Sequence, residues 1–238
     1  MFECDLRTLR KYLQYIRENE DQYPELIDGW STTIIDTNFD LNPRDFLKFA
    51  ESDLKANYDH HLINSLTNIK RAIDCQIDSL FVGFGINTKK SDEADWNFPE
   101  KLDVLRKLGL VSPEILNDIN RQRNDLEHRY SIPDEKFVKS SIEIAKMFVG
   151  YTDKYLYNMP FDGMLREISN PESVLMVTLD YKNRKFLFSA KEFSIKKPTI
   201  KVYYDKEICE GNRDEYLKYL IWFLTITDTE YKLFEKKI

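Results

Sequence analysis

The pattern that most constrains this chain runs from Tyr58 to about Phe81. Leu62, Leu66, Ile69, Ile73, Ile77 and Leu80 recur at steps of four, three, four, four and three. That spacing predicts a long amphipathic helix with one buried stripe. Gly83 and Gly85 stand where glycines end helices.

Other helices follow from the same period. Residues 5–20 set Leu6, Leu9, Leu13 and Ile16 on one side, and Pro24 and Gly29 then interrupt. Residues 30–42 read as a loop or a short strand. Asn42-Pro43 opens a helix through Phe46, Phe49 and Leu54, because proline suits the first helical position. The polar stretch 86–98 reads as a loop, and Lys101–Lys107 as a short helix stopped at Gly109. Ser112-Pro113-Glu114 combines an N-cap, a first-turn proline and an acid that suits the helix dipole. The helix it opens carries Ile115, Leu116, Ile119 and Leu126 and stops before Pro133; another runs from about Asp134 to Tyr157.

The pattern changes after Pro160. Val174–Leu179 is rich in β-formers, Tyr181–Arg184 reads as a turn, and Lys185–Phe188 follows as the second arm of a hairpin. Ile200, Val202 and Tyr204 alternate with Lys201 and Tyr203 as a third strand. Residues 213–226 read as a helix, although Ile221–Thr227 suits a strand as well, since short apolar runs are ambiguous. The expected fold is mainly α: an antiparallel helical bundle within about 1–158, with a small α+β domain over 160–238.

Composition removes several classes of function. A net charge of −6 and only three cysteines (Cys4, Cys75 and Cys209, with no CxxC pair) argue against bulk coating of nucleic acid, a disulfide framework and a zinc knuckle. The N-terminal stretch is charged and helical in pattern, unlike a signal peptide. The longest apolar run, Leu220–Leu224, is too short to span a membrane. A cytoplasmic protein without a membrane partner is expected.

Chemistry concentrates in Arg121–Tyr130, RQRNDLEHRY. Three arginines fall within nine residues of an acidic chain. Asn124 and His128 are four apart and share a helical face, whereas Arg123 and His128 are five apart, about 140° around an ideal helix. Histidine gives and takes a proton near neutral pH, and arginine offers a planar set of donors to phosphate oxygens. These types suit phosphodiester cleavage in RNA, where attack by the neighbouring 2′-hydroxyl needs no metal. The plainer reading is a surface ion pair of Arg123 with Glu127, a solvated His128 and a Tyr130 in the core.

Arg-Asn-x-x-x-His with a tyrosine two residues on resembles the signature of HEPN-domain ribonucleases, and its extended form resembles the toxins of MNT–HEPN toxin–antitoxin pairs. Arg123, Asn124, His128 and Tyr130 fill that pattern here. The order of helices over about 58–158 agrees with it. The resemblance implies a HEPN-like helical domain at 58–158, behind an N-terminal helical extension at 1–57 and ahead of an unrecognised domain at 160–238. It implies Arg123 and His128 as catalytic, Asn124 in support, and RNA as substrate. Glu127, Arg121 and Arg129 stand as further support. It also implies a homodimer with the motif helices facing one cleft, and Tyr130 as the target of a partner nucleotidyltransferase antitoxin. No metal and no cofactor is expected. A toxin or antiviral defence ribonuclease is the reading that follows; a non-catalytic RNA- or nucleotide-binding module and an assembly protein are the alternatives.

Other candidates are weaker. In Asp59-His60-His61 the two histidines are adjacent, point about 100° apart on a helix and chelate poorly. Gly83-Phe84-Gly85 lacks the Lys-Ser/Thr of a phosphate loop. Lys70-Arg71 and Lys101, Arg106 and Lys107 read as solvated helix faces, and Phe148, Tyr151 and Tyr155 as core or dimer surface.

Overall fold

A computed structural model describes residues 5–18, 27–90, 94–110, 114–167, 170–194 and 199–235. The expected helix opening at Ser112-Pro113 and the thiol of Cys4 lie outside them. The backbone divides into two compact units, one of Ile35–Gly83 and Thr88–Tyr157, the other of Met1–Ile34, Phe84–Asn87 and Asn158–Ile238.

The first unit is helical. Its centre is α3 (His61–Gly83), on which Leu66, Ile69, Ala72, Ile73, Ile77, Leu80 and Phe81 are buried. The stripe read from the sequence is therefore the spine of this unit. Along it packs α2 (Pro43–Lys55), whose Asn42 cap accepts from the Arg44 and Asp45 amides while Asp45 closes the capping box. The remaining helices are α4 (Phe98–Lys107), α5 (Glu114–Arg129), α6 (Glu135–Thr152) and the single turn α7 (Lys154–Tyr157). Leu102, Leu105, Leu116, Ile119, Val138, Ile142, Ala145 and Val149 complete the core. Residues 35–57, read as part of an N-terminal extension, belong to this unit.

The second unit is built on a five-stranded antiparallel sheet in sequential order: β1 (Ile27–Thr33), β2 (Met159–Glu167), β3 (Asn170–Asp180), β4 (Lys185–Ser194) and β5 (Thr199–Cys209). The register places Leu165, Leu175 and Ala190 in one row and Gly163, Val177 and Phe188 in the next. All six are buried, so one face of the sheet is apolar. Helix α8 (Arg213–Glu235) lays its rings on that face: Tyr216 and Phe223 meet Phe186 at 5.2 and 5.4 Å, and Tyr219 meets Phe188 at 5.2 Å. This packing makes the ambiguous Ile221–Thr227 helical. The first helix, α1 (Leu6–Glu18), joins the same unit, with the Leu9 carbonyl accepting from the Trp222 indole at 3.0 Å.

The expectation of a mainly α chain is thus overturned: the fold is α+β, with five strands where three were read. Strand β2, MPFDGMLRE, was not read, because it carries proline, aspartate and glycine rather than a run of β-formers, and β1, IDGWSTT, begins ahead of residues 30–42, which read as a loop or a short strand. Strand β1 also changes register between Ile27 and Trp30, where Gly29 takes a φ of 81°. Such an irregularity hides the period-two pattern.

Candidate functional site

Helix α5 holds the whole Arg121–Arg129 segment in one unbroken α-helix. Its first half is anchored by Leu116 and Ile119, both buried. Its second half has no apolar residue except Leu126, so it leaves the core. Gln122 to Leu126 are half-buried, and Glu127, His128, Arg129 and Tyr130 are exposed. The run of polar residues is what brings the motif to the surface.

Each arginine meets a carboxylate of its own helix. Arg121 lies 3.3 Å from Asp118, Arg129 lies 3.4 Å from Asp125, and the Arg123 guanidinium donates to Glu127. Asn124 and His128 share a face, as their spacing requires. Arg123 and His128 do not, because α5 stays helical throughout and keeps them about 140° apart. Tyr130, read in the plain alternative as core, is 87% exposed and takes a φ of 56° directly after the helix.

Behind Arg123 lies a group of charges that sequence reading missed. Lys70 is buried on α3, its ammonium 2.6 Å from both oxygens of Asp74 and 3.7 Å from the centre of the Phe98 ring. Burial pushes the Lys70 ammonium below its ordinary range; Asp74 opposes this, while the positive charges of Arg123 and Lys101 add to it. Lys101 donates to Asp78 at 2.6 Å, and burial pushes the Asp78 carboxyl above the usual carboxylate range against the pull of Lys101. The reading of Lys70-Arg71 as a solvated face holds for Arg71 and fails for Lys70. The available signal was the position of Lys70 inside the apolar stripe, next to Ile69, with an acid four residues on. Asp74 and Asp78 also line an open groove of about 650 Å³ with Phe39, Leu41, Phe46 and Cys75.

The remaining candidates disperse. His60 is exposed beside the Tyr58 ring at 4.7 Å, and His61 is half-buried at the start of α3. No set of three or more histidine, cysteine or acidic side chains is placed to hold a metal ion among the described residues. Phe148 and Tyr155 are core, whereas Tyr151 is 55% exposed. Among the described residues no helix is long and apolar enough to cross a membrane.

A surface helix bearing arginines, an exposed histidine and an exposed tyrosine can hold a phosphate and move a proton beside it. Scans of protein-family models, of curated proteins and of solved structures find no match to this chain.

Proposed function

We propose that this protein is an endoribonuclease of the HEPN type, acting as a toxin or in antiviral defence. The observation that carries the reading is the placement of Arg123, Asn124 and His128 on the part of α5 that emerges from the core. Arg123 binds the scissile phosphate and stabilises the charge that builds on it. His128 exchanges the proton of the attacking 2′-hydroxyl or of the leaving 5′-oxygen. The products are a 2′,3′-cyclic phosphate and a 5′-hydroxyl. Since one straight α5 separates Arg123 from His128, the working site draws on the α5 helices of two copies, so the active form is a homodimer. Tyr130 is the residue a nucleotidyltransferase antitoxin would modify.

A second reading, RNA binding without cleavage, is favoured by the single unbroken α5, which keeps Arg123 and His128 about 140° apart, so that one copy can hold a phosphate without setting the histidine on it. The two separate in one assay. Parent and His128→Ala proteins are incubated with an RNA pool in EDTA, and the 5′ and 3′ ends of the products are mapped. The ribonuclease reading expects a loss of at least about 100-fold on substitution. Equal cleavage by both proteins refutes the role of His128, and binding without cleavage by the parent establishes the second reading.

A further inference from the structure

The loop ahead of α2 holds two large apolar side chains in the open: Phe39 is 44% exposed and Leu41 is 41% exposed. The loop is held in shape at both ends. Asn38 takes a left-handed φ of 53°, which asparagine tolerates better than most residues, and its amide donates to Asp36 at 3.0 Å. Further on, the Leu41 carbonyl accepts from the Cys75 thiol of α3 at 3.5 Å, and Asn42 caps α2. With Phe46 of α2, these two side chains supply the apolar lining of the open groove of about 650 Å³. That volume lies within the range of ligand-binding clefts.

The charged lining is mostly acidic. Asp40, Asp74 and Asp78 line the groove, and Arg71, which donates to Asn68, is the one cation lining it among the described residues. Lys70 and Lys101 offset part of the charge of Asp74 and Asp78 from within the fold. Both lysines are largely buried, whereas the two carboxylates keep 38% and 34% of their side chains exposed. The thiol in the groove reports the sign of the local field. Burial is the first reason that Cys75 is pushed up to about 11, and the carboxylates of Asp78, Asp45 and Asp74 push it the same way. A cleft of this sign repels nucleic acid and anionic lipid and attracts cations.

Apolar and acidic linings together select the occupant. A bare cation would leave Phe39 and Leu41 wet, and a purely apolar segment would desolvate the carboxylates without compensation. A segment that sets lysine or arginine beside apolar side chains satisfies both.

We infer that the groove formed by Phe39, Leu41 and Phe46 with Asp40, Asp74 and Asp78 is a docking site for a basic amphipathic segment of another protein. The inference goes beyond the ribonuclease reading and stands without it.

The test uses the full chain carrying Cys4→Ser and Cys209→Ser, which leaves Cys75 as its one thiol. The probes are a peptide of leucine and lysine at helical spacing and its counterpart with glutamate in place of lysine. The leucine–lysine peptide is expected to bind and to slow alkylation of Cys75 by iodoacetamide severalfold, and the glutamate peptide to do neither. Asp40→Asn is expected to weaken binding by about fivefold and Phe39→Ser by about tenfold. Glu207→Gln, an acid removed from β5, is expected to leave binding unchanged. Both groove residues are exposed, so both variants are expected to melt as the parent does; should Phe39→Ser melt lower, Asp40→Asn carries the test. Failure of the leucine–lysine peptide to bind, or binding that leaves Cys75 alkylation unchanged, overturns the inference. Equal protection by both peptides overturns it too, as does equal weakening by Glu207→Gln and Asp40→Asn, which would show diffuse attraction to an acidic surface. A doubled mass of the parent alone in sedimentation, abolished by Phe39→Ser, would assign the groove to a second copy and likewise overturn it.

Discussion

Glu127 accepts a hydrogen bond from the guanidinium of Arg123, one helical turn back along α5, and 34% of the Arg123 side chain remains exposed. The residue best suited to hold a phosphate is thus already paired with an acid. A phosphate must displace Glu127 or share Arg123 with it. Neutralising the acid removes both the competitor and a like charge beside the incoming phosphate. Glu127→Gln should raise RNA affinity by up to about fivefold, the upper range for an exposed ion pair. The gain should vanish in an Arg123→Ala background. Fluorescence anisotropy with labelled RNA at fixed salt measures both; unchanged or weaker binding by Glu127→Gln alone would sink the idea that Glu127 competes.

Gly163 of β2 lies under the indole of Trp30, its partner on β1. A Cβ on Gly163 would stand 2.7 Å from both Cδ2 and Cζ3 of that indole and closer still to Cε3. The indole has little freedom to retreat, because it packs edge-on against Phe223 of α8 at 5.1 Å. Gly163→Ala should therefore destabilise the protein by about 1–3 kcal/mol, the usual cost of overpacking. In a Trp30→Leu background the same substitution should cost less. Urea unfolding of the four proteins gives the coupling, and a cost independent of residue 30 would show that Trp30 is not the obstacle.

Cys75 of α3 is half-buried, and burial is the main reason its thiol is pushed up to about 11, from an ordinary 9.0. Below 9.0 the thiol is protonated in both folded and unfolded chains, and its contribution to stability is complete. Between 9.0 and about 11 the folded chain holds more protons than the unfolded one, so stability falls as pH rises through that window. Lys70 acts in the opposite sense: its lowered ammonium makes the folded chain hold fewer protons, which raises stability with pH. Comparing Cys75→Ala with the parent isolates the thiol. The variant should lose less stability between pH 9.0 and about 11 than the parent, as read by urea unfolding across the window. Parallel curves for the two proteins would contradict the assignment.

How much of this was legible follows the range of the interactions. The α3 stripe was readable because helical periodicity is a property of neighbouring residues, and Leu66, Ile69, Ile73, Ile77 and Leu80 are buried as their spacing requires. The β3–β4 hairpin was readable because Tyr181–Arg184 closes it locally, with Asp180 opposite Lys185. Strand β2 was not, and β1 was legible only as a loop or a short strand over residues 30–42. Their hydrogen bonds join Thr33 to Met159 and Trp30 to Gly163 across most of the chain, and no local pattern records a partner so distant.

The motif divides in the same way. Its residue types, the helix that carries them and the possible Arg123–Glu127 pair were set by the sequence, because spacing on one helix decides them. That α5 leaves the core after Ile119, that Lys70 lies buried behind Arg123, and that Tyr130 stands bare in a left-handed turn were decided only by the tertiary structure. Each depends on what other elements cover or fail to cover, and burial belongs to the packed fold rather than to any local run of residues.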